Sequence, residues 1–252
     1  MPEDYQLDAL LQLANVCYSI SKCEHIVNYA DELQELATIV YNNQLHHKKK
    51  GKAIQPLRTE RHLIVYYGQG YLMKGLALSK QEQYEEAIQY VQKYIDLSWF
   101  EILDNLGKQE VEKFRYWGEA NLYAFHLLMG KFEILQKYVE FLKKYPNEVL
   151  PGLLNIVEAA NKHDFNIDGV LNIFSDDIKQ FEKNEKVINI SSHNQFRNQL
   201  AIYLFRRGKL TEGINETIRC LYISEKLKEY KSFKKCAASL LNSIERGTQI
   251  SD

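Results

Sequence analysis

The stretch YYGQGYLMKGLALSKQEQYEEA, residues 66–87, places three glycines within eight positions, at Gly68, Gly70 and Gly75. A glycine-rich segment ahead of a helix can cradle phosphate, so its reading decides between a nucleotide enzyme and a packing device. Two phosphate-binding patterns are testable residue by residue. GxGxxG begun at Gly68 needs glycine at 73, which is Met73; GxxxxGK[ST] aligned on Gly70 and Gly75 needs lysine at 76, which is Leu76. Both also need a preceding strand. The residues upstream repeat at helical spacing instead: Ile64, Tyr67, Tyr71, Gly75 and Leu78 form one stripe, and Leu63, Tyr66, Gly70, Met73 and Ala77 a second. A helix with two apolar stripes packs against protein on both sides. The glycines therefore serve contact between helices.

The following segment, 83–98, has one stripe only, Tyr84, Ala87, Ile88, Val91, Tyr94 and Ile95, with charged and amide residues over the rest. A two-sided helix followed by a one-sided helix is what a stacked helical hairpin requires. The alternation recurs along the chain. Residues 110–129 and 131–145 pair around Gly130, residues 151–163 and 168–182 around the turn at Asp164, and residues 194–207 and 210–226 around Gly208. Segments 4–19 and 23–45 form a first hairpin, and 228–246 closes the chain. The expectation is an all-α chain with no strand: about five hairpins plus a closing helix, with turns at 82, 130, 164 and 208.

Gly75 and Ala87, with Tyr71 before them and Tyr84 and Val91 after, resemble the tetratricopeptide repeat, in which small residues on paired helices let the backbones approach. Ala201 and Gly213 flank RRGKL, 206–210, in the same way; a third copy, LLMGKFEIL at 127–135, matches in its turn but carries Leu135 where alanine is usual. A wider resemblance covers residues 57–245. ERHLIVYYGQGYLMKGLAL, KYIDLSWF, VEKFRYWGEANLYAFHLLMGK and LPGLLNIVEAANKHDFNID look like the C-terminal helical-repeat region of bacterial helix-turn-helix regulators, the group that includes peptide-sensing quorum receptors related to Rap and PlcR. The resemblance implies a right-handed superhelix and a non-enzymatic sensor or dimerisation module, whose concave face holds a short peptide or a protein partner. A homodimer is compatible with it.

Those regulators carry a DNA-reading domain ahead of the repeats. Residues 1–47 here hold one lysine, Lys22, against seven carboxylates, a net of −6 that repels phosphate. Direct nucleic-acid binding by this chain is not expected, and the whole-chain charge of −1 gives no bulk attraction to nucleic acid or anionic membrane. The domain expectation is one helical-repeat domain over 1–252: an acidic N-terminal hairpin (1–45), a basic loop (46–56, HHKKKGKAIQP) and the repeat stack (57–246).

No HExxH, GxSxG or SxxK pattern occurs, so catalysis is not expected, and neither is a cofactor or a resident metal. DFNIDG, Asp164–Gly169, matches the start of a calcium loop, but its twelfth position is Ser175 where a bidentate Glu belongs. The competing reading is a turn in which Asn166 or Asp168 caps the next helix. Cys17, Cys23, Cys220 and Cys236 lack metal-type spacing and read as reduced thiols of a cytoplasmic protein. No basic segment followed by an apolar run marks a signal peptide, and no apolar run is long enough to span a membrane. Lys228, Lys231 and Lys235 make a basic stripe on the last helix, read as a solvated outer face.

Peptide or partner contacts are sought on the first helix of each hairpin. Asn and Gln donate and accept from one side chain, as an extended peptide backbone requires. Gln69, Asn121, Asn155, Gln195 and Asn198 are the candidates, with Tyr67 as a flat wall; each also suits an interhelical hydrogen bond. The second reading of function is a scaffold that binds a folded protein without a small ligand.

Overall fold

The computed structural model describes residues 3–19, 23–53, 56–181, 187–226 and 228–248. Among these residues the chain is all helical, with no strand. Twelve α-helices follow in order: α1 (Glu3–Ser19), α2 (Cys23–Lys49), α3 (Leu63–Lys80), α4 (Tyr84–Tyr94), α5 (Asn105–Leu128), α6 (Leu135–Lys144), α7 (Val149–His163), α8 (Asp168–Ile173), α9 (Ser175–Phe181), α10 (Val187–Arg206), α11 (Leu210–Lys226) and α12 (Tyr230–Thr248). Short 3-10 turns precede α6 and α7.

The chain divides into two compact units, one up to Phe125 and one from His126 onward. In the first, α3 is the central element: α2 packs along it, α4 folds back on it, and α1 touches both α2 and α3. Ten of its residues are buried, among them Ile64, Tyr66, Met73 and Ala77. Each of its glycines meets a different helix. A Cβ built on Gly68 would lie 2.4 Å from the Phe114 ring of α5, and one on Gly70 would lie 2.9 Å from the Ala30 carbonyl oxygen of α2. At Gly75 the nearest atom is the Ala87 carbonyl oxygen of α4, at 3.4 Å. The glycine cluster is thus a three-way approach point for helices, tightest at Gly68 and Gly70.

In the second unit α10 packs against α7 and α11, while α12 lies on α11 and touches α10. The small-residue pair expected here takes a different form. Ala201 is buried, but a Cβ on Gly213 would meet the Phe205 ring, at 2.6 Å. The space at Gly213 admits an aromatic ring one turn beyond Ala201.

All four expected turn positions adopt left-handed backbone, with φ of 61° at Glu82, 90° at Gly130, 57° at Asp164 and 72° at Gly208. This conformation ends a helix by letting amides past the last turn bond back to its carbonyls. Glu82 N donates to Ser79 O and Lys131 N to His126 O in this way.

Several boundaries differ from expectation. α2 runs to Lys49, so His46–Lys49 form its last turn, where positive side chains favour the negative helix end. Residues 57–62 precede α3 instead of opening it. The carboxylates of Asp4 and Asp8 on α1 accept the Arg58 and Glu60 amides, and His62 Nδ1 accepts the Ile64 amide as the N-cap. The segment 168–182 is broken at Phe174 into α8 and α9. The reduced-thiol reading is also corrected: Cys220 and Cys236 form a disulfide between α11 and α12, while Cys17 is free and buried. Both disulfide sulfurs sit on the facing sides of adjacent helices, a proximity that spacing alone did not reveal. The side chain of Cys23 lies outside the described residues.

Candidate functional site

The helical register of α3 sets Tyr67, Tyr71 and Lys74 on one face, between α2 and α4. α2 contributes Asp31, Gln34 and Thr38, which follow one another by three and four residues and so share a stripe. Gln34 Nε2 donates to Tyr71 OH at 2.8 Å and to Thr38 Oγ1 at 2.9 Å. Thr38 Oγ1 donates in turn to Gln34 O at 2.8 Å. Lys74 Nζ donates to both Asp31 oxygens, at 2.6 and 2.8 Å. Burial pulls the Lys74 ammonium towards neutrality, but bonding to Asp31 and Tyr90 outweighs it and raises the group above the ordinary lysine value.

From α4, Lys93 Nζ lies 4.6 Å from the Tyr90 ring centre and 5.4 Å from that of Tyr71. At one end, Trp99 and Phe100 close the surface. Tyr67 meets Tyr71, Trp99 and Phe100 edge to face at 5.4, 5.6 and 5.8 Å, and Tyr41 of α2 lies 4.0 Å from Phe100. Burial, then bonding to Tyr71, pushes the Tyr67 hydroxyl far above the usual phenol range. Trp99 remains half exposed. Beside this array an open hollow of about 360 Å³ is lined by Asp31, Gln34, Glu35, Thr38 and Ile39. The arrangement offers flat ring surface, the acceptor side of an amide and a hydroxyl whose N–H and O–H groups are already bonded, and charges of both signs. It suits an extended polar chain with an apolar side group.

Of the residues singled out from sequence, Tyr67 belongs to this site. Gln69 is half buried, two residues on and therefore turned away from the Tyr67 face. Asn121 Nδ2 donates to Tyr94 OH at 2.7 Å, joining α5 to α4. Asn155 Nδ2 repeats the device with Tyr138 OH at 3.4 Å, joining α7 to α6. Both tyrosines are buried, and burial drives their hydroxyls well above the ordinary phenol value, with the asparagine bond partly opposing it. Asn155, Gln195 and Asn198 lie in the second unit, where Gln195 is exposed and Asn198 half buried. The recurring asparagines hold helices together, the second of the two uses their chemistry allows.

The residues that sequence reading missed are Gln34, Thr38 and Trp99. Gln34 and Thr38 stand on the second helix of the first hairpin, whereas the expected contacts lie on first helices. Trp99 follows α4 in an irregular segment. The signal that points to it is the density of rings in KYIDLSWF.

The DFNIDG turn is occupied by internal bonds. Asn166 Oδ1 accepts the Asp168 amide at 3.0 Å. The Asp168 carboxylate accepts from Lys209 Nζ at 2.8 Å and Tyr203 OH at 3.0 Å, and Asp164 faces Arg207 at 3.3 Å. Lys209 foremost holds the Asp168 carboxyl below its ordinary range, outweighing the opposing effect of burial, and Tyr203 adds to it. Among the described residues no group of His, Cys, Asp and Glu is arranged to hold a metal ion, and no helix is long and apolar enough to cross a membrane. Lys228 and Lys235 are exposed; the Lys231 side chain lies outside the described residues.

The chain finds no significant match among family models, curated proteins or solved structures.

Proposed function

We propose that this chain is a non-enzymatic, peptide-binding helical-repeat module, built as a tetratricopeptide-like superhelix and acting in the cytoplasm as the sensor part of a transcriptional regulatory system. The reading rests on the resemblance of residues 57–245 to helical-repeat sensor regions. The observation that carries the binding role is the open hollow along α2, lined by Asp31, Gln34, Glu35, Thr38 and Ile39, with Gln34 bonded to Tyr71 and the rings running on from Tyr71 through Tyr67 to Trp99. A peptide there would lay its backbone along the Gln34–Thr38 stripe and a side chain against Trp99. Binding would bias the angle between neighbouring hairpins, since each repeat in such a stack touches only its neighbours.

An array of random octapeptides probed with the full chain tests this. A subset is expected to bind, with affinity reduced about tenfold or more by Trp99→Ala and less by Gln34→Ala, while the melting temperature of both variants stays near that of the parent. Absence of any peptide ligand, or binding indifferent to both substitutions, overturns the reading. The scaffold alternative draws support from exposed apolar residues on the outer helices, among them Tyr5, Val16, Tyr230 and Leu241.

A further inference from the structure

The cystine between Cys220 of α11 and Cys236 of α12 is the chief hold on α12. α12 packs on α11 and touches α10, yet among its described side chains Cys236 alone is buried. Ala237 and Leu240 are half buried, while Tyr230, Phe233 and Leu241 are exposed by 75, 40 and 61%. A helix with so little buried apolar surface opens locally at low cost once its covalent tie is cut.

α11 is held in a different way. Its buried stripe, Gly213, Thr217, Cys220 and Ser224, lies against α10. Asn194 Nδ2 of α10 donates to Ser224 Oγ at 2.7 Å, and the buried Arg197 of α10 pairs with Glu216. None of these bonds passes through the cystine, so they outlast its reduction. A second observation concerns Cys220 itself. Its Sγ lies 3.8 Å from the Asn194 carbonyl oxygen, within reach of a sulfur hydrogen bond. A disulfide sulfur has no hydrogen to donate, whereas a thiol has one. The buried position therefore suits Cys220 in both oxidation states.

We infer that Cys220 and Cys236 form a reversible redox latch. Oxidised, it fixes α12 on α11; reduced, it frees α12 while α10 and α11 keep their packing. In a reducing compartment such as the cytoplasm, the disulfides that do form are chiefly transient and redox-sensing. The reductant is a small thiol of the glutathione class. Its thiolate attacks Cys236 Sγ, on the more exposed helix, so that a mixed disulfide forms and the Cys220–Cys236 bond breaks. Cys220 leaves as a thiolate, takes a proton from solvent and turns it towards Asn194 O. A second small thiolate attacks the mixed disulfide and releases Cys236, which is protonated in turn. Two small thiols are thereby oxidised to one small disulfide as one cystine is reduced to two cysteines. Oxidation runs the same steps in reverse, with the small disulfide as oxidant.

The test is hydrogen exchange of the full chain, read by mass spectrometry, in buffers of reduced and oxidised glutathione. The bond closes a loop with a sequence separation of 16, and losing such a constraint should speed exchange over α12 on the order of 100-fold. Exchange over α10 and α11 should stay as it was. Returning the reduced protein to oxidised glutathione should restore protection of α12 and release two small thiols per chain. Cys236→Ser should exchange like the reduced parent in either buffer, while Cys17→Ala should switch as the parent does. Equal exchange over α12 in both buffers overturns the proposal. So does reduction that loosens α10 and α11 together with α12, which would mark the bond as a staple of the whole unit, or protection that oxidised glutathione fails to restore.

Discussion

Gly70 on α3 and Ala30 on α2 stand so close that a methyl on the glycine would lie 2.9 Å from the alanine carbonyl oxygen. Backbone meets backbone there, and no side-chain rotation relieves the contact. Gly70→Ala is therefore expected to destabilise the protein by about 1–3 kcal/mol, as over-packing does. Gly68→Ala, against the Phe114 ring, should fall in the same range. Gly75→Ala is the contrast: its methyl reaches ordinary contact with Ala87, so helix propensity dominates and stability should hold or rise by up to about 1 kcal/mol. Urea unfolding of the three variants checks the order.

Glu82 and Gly130 both hold left-handed backbone, one with a side chain and one without. Glu82→Gly should stabilise by about 1 kcal/mol, because it removes the steric cost of that conformation. Gly130→Ala should destabilise by at least as much, since its methyl would also lie 3.1 Å from the His163 ring. Opposite shifts in melting temperature are the readout.

Asn121 supplies the bond that the buried Tyr94 hydroxyl needs. Asn121→Ala should cost about 1–3 kcal/mol by stranding that hydroxyl, whereas adding Tyr94→Phe to it should cost little more. A double-mutant cycle in urea that finds the two substitutions simply additive would refute the coupling.

Tyr66, Tyr94 and Tyr138 all have hydroxyls held far above their ordinary value of 10.0, chiefly by burial, which Asp8 reinforces at Tyr66. The sign follows from linkage: below pH 10 the groups are neutral in both states and their full contribution is present. As pH rises past 10 the unfolded chain ionises first and stability falls. Thermal melts should fall steeply above about pH 10, and tyrosinate absorbance should rise in step with unfolding.

Calcium offered to the 164–169 turn must displace Arg207, Lys209 and Tyr203 from carboxylates already bonded. Millimolar calcium should leave the melting temperature unchanged. A clear rise would show that those bonds yield to the ion.

The helices were legible where one pattern of burial dominates. The stripe of Tyr84, Ala87, Val91 and Tyr94 located α4, which starts one residue and ends four residues inside the expected 83–98, and the four turns coincide with four left-handed residues. What stayed hidden depends on partners distant in sequence. The repeat stack expected from residue 57 opens its helix only at Leu63, because Asp4 and Asp8, more than fifty positions away, claim the Arg58 and Glu60 amides. The break at Phe174 interrupts a stripe that is continuous in sequence. The site suffered in the same way, because Gln34 gains its meaning only from Tyr71, 37 residues on. An amide on a helix surface carries no local sign of the hydroxyl it will meet.

The cystine described above brackets the turn before the last helix, with sixteen positions from one sulfur to the other. A protease nicking the chain anywhere between them would part the backbone without shedding a fragment. The severed piece would comigrate with the remainder on a denaturing gel until a reductant let it go.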